Sequence, residues 1–255
     1  MQNRYVGDIG DFGKYALLRA LVADDLSLGI VWCLNSLEEG NSDGRLTQYL
    51  YNNRFGLAEC DPLVFQTLKG VVERERTVRA IQESGIFPKS SFFDEEIMPG
   101  TLASRRPGVF EERVRYRHSW HTGALNKTKE ADLVFFDPDN GLNADPGKKR
   151  TKRAAKYIFI DEIVPFLLRG QSVIVYQHQT RQGALDAQVT KLRGLVAKLA
   201  GIHHTFVVTY HRQQVRIYII LASRKHGQKL AKRKKGLLGG PLGASGTFRD
   251  ANDVC

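Results

Sequence analysis

The sequence predicts an α/β protein of the Rossmann-like, doubly wound type, with a mostly parallel sheet and a C-terminal antiparallel hairpin. Short apolar runs at 28–35, 132–136 and 171–178 indicate buried strands, and they alternate with helical patterns. Two further strand patterns fill 203–223 around a polar turn, which is typical of a hairpin. The run at 132–136 stops at the polar segment 137–141. Ligands bind at the carboxyl ends of strands in such sheets, so this segment is the first candidate for a site.

The N-terminal half of the chain alternates helix, strand and helix. A helix is predicted over 10–25, because Asp11 can cap its start and apolar residues recur on one face. The predicted strand at 28–35 follows, and then a loop over 36–44 with glycines at 40 and 44. One helix is predicted over 61–84 and a short strand over 90–96. The pattern typical of a parallel sheet therefore begins early in the chain.

The C-terminal half continues the alternation up to the hairpin. No element is assigned to 102–118, and a short helix is predicted over 119–130. Helices are predicted near 152–168 and 181–200, on either side of the strand at 171–178. Residues 224–255 are rich in Lys, Gly and Ser and lack periodic apolar residues, which predicts a flexible basic tail. The expected organisation is one α/β domain over 1–223 and this tail.

The composition favours one large domain in a reducing compartment. A chain of 255 residues with 42% hydrophobic content can build one sizeable core. No apolar run approaches the roughly 20 residues of a membrane helix, and the N-terminal segment lacks the apolar core of a signal peptide. Cys33, Cys60 and Cys255 form no Cys-x-x-Cys pair. We therefore expect a cytoplasmic protein without a membrane or a disulfide-linked partner. The oligomeric state is left open.

The charge is strongly basic and partly localised. The formal net charge is +11, and two Lys/Arg-rich runs stand out at 148–153 and 224–235. Such runs attract phosphate backbones through counterion release, which predicts a nucleic-acid partner. The alternative is a solvated loop and a solvated tail. The predicted contacts in these runs are Lys148, Lys149, Arg150, Lys232 and Arg233.

A glycine-rich segment at 7–14 precedes and opens the first predicted helix. Its glycines permit positive φ angles or close approach of the backbone to a ligand. Lys14 lies in the first helical turn, where the helix dipole favours acids. A lysine there needs a carboxylate partner, supplied by a cofactor or by Asp8 or Asp11. The alternative is a solvated lysine.

The segment 7–21 resembles the opening of the bacterial 23S ribosomal RNA adenine-N6 methyltransferase family. Gly7, Asp11 and Lys14 match the family's pattern, and Tyr15 replaces its histidine. The order of elements over 7–223 is also similar. The resemblance implies a class I methyltransferase fold with S-adenosylmethionine as cofactor. The implied cofactor-binding residues are Asp11, Lys14, Tyr15, Asn35, Gly40 and Trp120.

The turn after the strand at 132–136 is the implied catalytic centre. Amino-methyltransferases carry Asp/Asn-Pro-Pro-Tyr/Phe here, and the first side chain and the next carbonyl accept hydrogen bonds from the target amine, so catalysis is mostly positioning. Asp137 and Pro138 match, whereas Asp139 and Asn140 replace the second proline and the aromatic residue. The aromatic residue stacks on the flipped base in the family. Phe135, Phe136 and Tyr176 are the candidates to replace it, and the alternative for the two adjacent phenylalanines is a place in the core. The predicted catalytic residues are Asp137, Pro138, Asp139 and Asn140.

Other functions remain open for the same carboxylates. Asp137 and Asp139 could bind Mg²⁺ with Asp161 or Glu162 as a further ligand, and His178 as a base would give a nuclease or phosphoesterase. A non-catalytic nucleic-acid or nucleotide binder is the third class, and a simple turn that caps the strand is the structural alternative. His178 and Arg181 follow the next strand and are expected to face the same crevice, where Arg181 would contact a phosphate.

Overall fold

The computed structural model describes residues 1–23, 25–35, 44–104 and 106–251. Seven described strands form one sheet, in the order β2-β1-β3-β6-β8-β7-β9. The strands β1 (Leu28–Val31), β2 (Ser90–Phe93), β3 (Leu133–Phe136) and β6 (Ser172–His178) are parallel neighbours. The strands β7 (His204–Arg212), β8 (Gln214–Ala222) and β9 (Phe248–Asp250) continue the sheet in antiparallel pairs. The predicted Rossmann-like fold class and the closing hairpin are confirmed.

A small second sheet pairs β4 (Gly141–Asn143) with β5 (Tyr157–Phe159) in parallel. The helices, in chain order, are α1 (Ile9–Val22), α2 (Tyr49–Asn52), α3 (Leu57–Cys60), α4 (Pro62–Arg74), α5 (Val78–Glu83), α6 (Val109–Lys127), α7 (Ile160–Leu168), α8 (Leu185–Val196), α9 (Gly227–Gly239) and α10 (Pro241–Ala244). Short 3₁₀ helices lie at Asn3–Tyr5, Gly100–Ala103, Pro146–Arg150 and Lys152–Lys156.

Both faces of the sheet are buried, which explains why its parallel strands are apolar throughout. Successive side chains of a strand point to opposite faces. Accordingly Leu133 and Phe135 pack in one core with α1, α4 and α9, whereas Val134 and Phe136 pack in the other with α6, α7 and α8. The strand run therefore separates two hydrophobic cores, and the polar turn at 137 begins where this double burial ends.

Three predicted helical boundaries are wrong. The helix expected over 61–84 is two helices, because the chain leaves α4 at Glu75 and Thr77 caps α5 by accepting a hydrogen bond from the Ala80 amide. The short helix at 119–130 is the end of α6, which begins after Gly108 with its φ of 74°. The helix expected over 152–168 contains a 3₁₀ turn, β5 and only then α7.

The predicted flexible tail is also wrong for residues 224–251, which are folded. Leu230 and Leu237 of α9, Leu242 of α10 and Phe248 of β9 are buried. Phe248 packs on the Tyr210 ring with 5.3 Å between centroids, and β9 pairs with β7 at the sheet edge. The fold therefore extends beyond the expected limit at 223. The apolar residues were sparse in a basic segment, so its helical periodicity was missed.

Among the described residues, no helix combines the length and apolarity required to span a bilayer. Cys33 and Cys60 are both free thiols.

Candidate functional site

A crevice of about 890 Å³ opens at the carboxyl edge of the sheet, beside the ends of β3 and β6. The chain runs from β1 outward to β2 and then returns across β1 to β3, so β1 and β3 flank the topological switch point. The crevice walls come from the segment before α1, the start of α1, the turn after β3, the end of β6 and the β7–β8 turn. The fold thus brings together segments that lie far apart in the sequence.

Lys14 lies at the inner end of this crevice between two carboxylates. Its Nζ is 2.7 Å from Oδ1 of Asp11 and 2.7 Å from Oδ2 of Asp137. All three side chains are at least 95% shielded from solvent. The carboxylate partner predicted for Lys14 is therefore supplied by two residues of the chain itself, Asp11 and Asp137. Asp137 ends β3 as an acid because a buried cation faces it.

This triad is unbalanced, since one ammonium group serves two carboxylates. Burial alone would lower the pKa of Lys14, but Asp11 and Asp137 raise it well above its ordinary value. Burial raises the pKa of both Asp11 and Asp137, and Lys14 offsets only part of that effect. A cationic or hydrogen-bond-donating ligand group would therefore favour the ionised forms of these two carboxyls.

A second buried ion pair joins the start of α1 to the hairpin. Asp8 caps α1 by accepting from the Gly10 amide at 2.9 Å, and the same Oδ1 atom accepts from Nη2 of Arg216 at 2.9 Å. A Cβ at Gly10 would lie 2.1 Å from Nε of Arg216. The absence of a side chain at Gly10 therefore leaves space for the hairpin arginine. An arginine among the apolar residues of β8 was a signal for this contact that the sequence interpretation missed.

The turn after β3 presents acceptors to one nitrogen atom. The amino nitrogen of Met1 lies 2.8 Å from Oδ1 of Asp139, 3.0 Å from the Cys33 carbonyl and 3.3 Å from the Asp137 carbonyl. These acceptors belong to the ends of β1 and β3 and to the turn itself. The site can therefore hold an amino group with two backbone carbonyls and a carboxylate. Met1 was not among the predicted site residues.

Residues at the end of β6 hold the same turn in place through hydrogen bonds. The Asn140 carbonyl accepts from the His178 amide at 3.1 Å and from Nε2 of Gln177 at 2.9 Å. A Cβ at Gly141, whose φ is 121°, would lie 2.1 Å from Oε1 of Gln177. The Gln177 side chain thus joins β6 to the turn in place of further backbone hydrogen bonds. The position of Asp139 and Asn140 is set by these contacts.

Tyr176 is the aromatic candidate that reaches the crevice. Its hydroxyl lies 3.1 Å from Nδ1 of His178, and both residues line the wall. Burial raises the pKa of Tyr176 to about 12, so it remains a neutral phenol. Phe135 and Phe136 are fully buried in the two cores, and neither can stack on a ligand base.

The other predicted cofactor residues are placed differently. Asp11 and Lys14 line the crevice, but Tyr15 is fully buried and packs edge-on against Trp32 and Phe87. Asn35 is buried behind Met1, whose carbonyl accepts from the Asn35 amide at 3.0 Å. Trp120 lies in the core, where it packs on Phe93 and donates to the Glu95 carbonyl. Gly40 lies outside the described residues.

The predicted nucleic-acid contacts fall into two groups. His178 and Arg181 line the crevice, as does Pro138 with the rest of its turn. Lys148, Lys149 and Arg150 lie on the 3₁₀ turn after β4, where Lys149 contacts Asp161. Arg233 of α9 donates to the carbonyls of Leu21 and Val22 at the end of α1, and Lys232 is exposed beside it. The structure therefore brings only the first group to the site.

The proposed magnesium ligands do not converge. Both carboxylate oxygens of Glu162 bind the Arg117 guanidinium, at 2.6 and 2.8 Å, and Asp161 pairs with Lys149. Within the described part of the chain, no group of three or more His, Cys, Asp or Glu side chains is arranged to hold a metal ion.

No protein-family model matches this sequence, and a comparison with curated proteins found no significant relative.

Proposed function

We propose that the protein is an S-adenosylmethionine-dependent methyltransferase that acts on an amine of a nucleic-acid base. One observation carries the proposal. At the switch point of a Rossmann-like sheet, the Asp137 and Cys33 carbonyls and the Asp139 carboxylate surround the amino nitrogen of Met1, and a target amine would take the place of that group. Groups of this kind accept hydrogen bonds from a primary amine and hold its lone pair in a fixed direction.

The chemistry of the donor set suits the cofactor as well as the target. S-adenosylmethionine carries an ammonium, a sulfonium and a carboxylate group and supplies an activated methyl group, and its two cationic groups are the ones that would face carboxylates. The inner wall has four carboxylates, from Asp8, Asp11, Asp137 and Asp139. Lys14 and Arg216 balance part of this charge and fix the carboxylates in place. The protein would therefore act by positioning: Asp139 and the Asp137 carbonyl orient an amine, while Lys14 holds Asp137 in place.

The proposal is tested by calorimetric titration of the protein with S-adenosylmethionine and, separately, with Mg²⁺. We expect binding of the cofactor and transfer of labelled methyl groups to RNA or DNA oligonucleotides. Binding of Mg²⁺ without the cofactor would instead support the hydrolase hypothesis. Asp132→Asn is a matched control, because Asp132 precedes β3 at the opposite edge of the sheet and should leave cofactor binding unchanged.

A non-catalytic nucleotide-binding protein is the second candidate. The observation that favours it is the 2.7 Å contact between Lys14 and Asp137, because this carboxylate already has a cationic partner. Binding of nucleotides without methyl transfer would select this function. Both candidates belong to a reducing compartment such as the cytoplasm, in keeping with the free thiols of Cys33 and Cys60.

A further inference from the structure

The segment between β4 and β5, residues 144–156, is a loop of two 3₁₀ turns with six Lys/Arg side chains and one acid. We call this segment the basic loop. Two of its cations, Lys148 and Lys149, face carboxylates. Three others are exposed and have no carboxylate partner within the described parts of the chain: Arg150, Lys152 and Arg153. The loop is therefore a local concentration of positive charge on the surface of the fold.

Two buried arginines of α6 hold the backbone of the basic loop in place. Arg113 donates to the Arg150 carbonyl at 3.0 Å, and Arg117 donates to the carbonyls of Ala154 and Tyr157 at 2.8 and 2.6 Å. A loop whose charges interact only with water gains nothing from such anchors. A binding surface does gain from them, because a fixed backbone lowers the entropy cost of binding.

An exposed aromatic ring lies beside the basic loop. Phe110, in the first turn of α6, is 54% exposed. The guanidinium group of Arg113 lies over its ring, 5.6 Å from the centroid, so the residue that holds the loop also contacts the ring. Of the two acids in this turn, Glu112 is paired with Arg106, at 2.6 Å, whereas Glu111 is exposed. The ring therefore has open surface next to a cationic loop.

The basic loop ends beside the crevice. Lys156 is the last residue of the loop and lines the crevice. Its carbonyl accepts from the Asn140 amide, in the turn after β3, at 2.8 Å. A polymer bound along the loop would therefore lie next to the opening of the crevice.

We propose that the basic loop and Phe110 form a docking surface for single-stranded nucleic acid. Phosphates of the strand bind the exposed cations of the loop, and one base stacks on the Phe110 ring. Cations that attract a phosphate backbone and an aromatic ring that stacks a base are the two features of surfaces that bind single strands. An acidic protein segment would use the cations but would bring no base to the ring. The role of this surface in holding a substrate beside the crevice rests on the proposed function, whereas the binding itself does not.

The first test measures binding of labelled single strands of about 12 nucleotides, RNA and DNA, by fluorescence anisotropy over a salt series. In the loop variant, Arg150, Lys152 and Arg153 are replaced by Ala. We expect at least tenfold weaker binding. The slope of log K against log salt should become shallower by about 2.1, or about 0.7 for each lost contact on a single strand. An unchanged affinity and slope for both kinds of strand would overturn the inference.

A matched control removes three exposed cations from α9 and the turn before it, by replacing Arg224, Lys232 and Lys235 with Ala. This variant should bind strands like the wild type. An equal loss in the control would show that net charge and not the basic loop attracts the strand. Polyglutamate tests an acidic protein segment as the partner. If it competes as well as a single strand of the same charge, the surface does not recognise nucleic acid and the inference fails.

Phe110→Ala tests the stacking contact. We expect about tenfold weaker binding of single strands with an unchanged salt slope, because the ring carries no charge. Phe110→Trp should retain binding, and Val114→Ala, which changes another exposed apolar residue one turn along α6, should have no effect. Wild-type binding by Phe110→Ala would overturn the stacking contact. So would an equal loss for a blunt-ended duplex, whose bases are already stacked on one another.

Titration of the wild type and the loop variant with S-adenosylmethionine keeps the two proposals apart. We expect both to bind the cofactor equally, and the loop variant to show a raised KM for the strand with little change in kcat. Strand binding that depends on the basic loop, without cofactor binding, would defeat only the methyltransferase. Cofactor binding and methyl transfer by a loop variant that binds strands like the wild type would defeat this inference alone.

Discussion

Lys14 in the first helix and Asp137 at the end of β3 form a 2.7 Å ion pair that is almost completely shielded from water. This pair links the helix that opens the fold to the turn that carries the candidate chemistry. A buried charge that loses its partner is much more costly than a surface one. The pair therefore makes the stability of the fold and the geometry of the site depend on the same atoms.

Replacing Lys14 by Met should destabilise the protein by about 3–5 kcal/mol, because it leaves Asp11 and Asp137 buried without a cation. The free energy of unfolding is measured by chemical denaturation. The control is Arg79→Ala, which removes the exposed ion pair with Glu83 and should leave the midpoint nearly unchanged. If Lys14→Met unfolds at the wild-type midpoint, the triad contributes nothing to stability.

Substitutions of Asp137 separate the functional hypotheses. Under the methyltransferase proposal, Asp137→Asn keeps an oxygen that accepts from Lys14, so the turn stays in place and part of the activity is retained, whereas Asp137→Ala loses more. Under the magnesium hypothesis, Asn is nearly as damaging as Ala because the charge is gone. Cofactor binding, Mg²⁺ binding and melting temperature are measured for both variants. Wild-type binding of every ligand by both variants would show that Asp137 is purely structural.

His226 should make the protein less stable as the pH falls below about 6.5. Burial lowers the pKa of His226 from its ordinary value of 6.5 in the folded protein, although Asp132 opposes this. The unfolded chain therefore binds the proton more readily, and the stability contribution of neutral His226 is complete above the unfolded pKa and lost below it. Lys225 and Lys229 also face this group. The measurement is the free energy of unfolding between pH 7.5 and 5.

The control for this effect is a comparison of slopes. His226→Gln should flatten the dependence of unfolding free energy on pH, whereas substitution of the exposed His118 by Gln should not. Two half-buried histidines add to the total slope, since partial burial also lowers the pKa of His121 and His211. Identical slopes in the wild type and His226→Gln would exclude His226 as a contributor.

Leu230→Ala in α9 should cost about 2–5 kcal/mol, because the side chain is fully buried against the core that includes α1. The neighbouring Lys232→Ala changes an exposed residue and should leave stability unchanged. Thermal and chemical unfolding are compared for the two variants. An insignificant loss for Leu230→Ala would restore the interpretation of 224–251 as a dispensable tail.

Gly10→Ala should disrupt the pair between Asp8 and Arg216, because the added Cβ would lie 2.1 Å from Nε of Arg216. Gly236→Ala is the matched helical control. No atom lies within 4 Å of a Cβ at that position, so this variant should gain up to about 1 kcal/mol from helix propensity. Equal melting temperatures for the two variants would contradict the close approach at Gly10.

The apolar strand runs predicted the sheet, because parallel strands buried on both faces have no polar alternation to confuse the pattern. The helical ends were less predictable. Thr77 caps α5, and Gly108 precedes α6 with a positive φ, but neither residue stands out in the sequence as a helix boundary. The helix α9 was missed because its charged side chains cover a narrow apolar face formed by Leu230 and Leu237.

For the site, the strand-end rule located Asp137, and the unfavourable position of Lys14 in a helix predicted a carboxylate partner. The partner at Asp137 depends on the sheet order, which no local pattern encodes. Arg216 was missed for the same reason, since its partner Asp8 lies 208 residues away. Trp120 was the opposite case, because a large aromatic residue near a motif fits a core as well as a ligand pocket.

The contacts between α1 and the hairpin have a consequence for biosynthesis. Asp8 can pair with Arg216 only after the hairpin has been synthesised. The same holds for the Ile9 carbonyl, which accepts from the Tyr210 hydroxyl 201 residues later in the chain. A ribosome adding roughly 5–20 residues per second needs on the order of ten seconds or more to bridge that interval. During this time the first helix exposes a face rich in leucine, and Asp8 lacks its arginine partner. The crevice is therefore complete only after the hairpin has been translated.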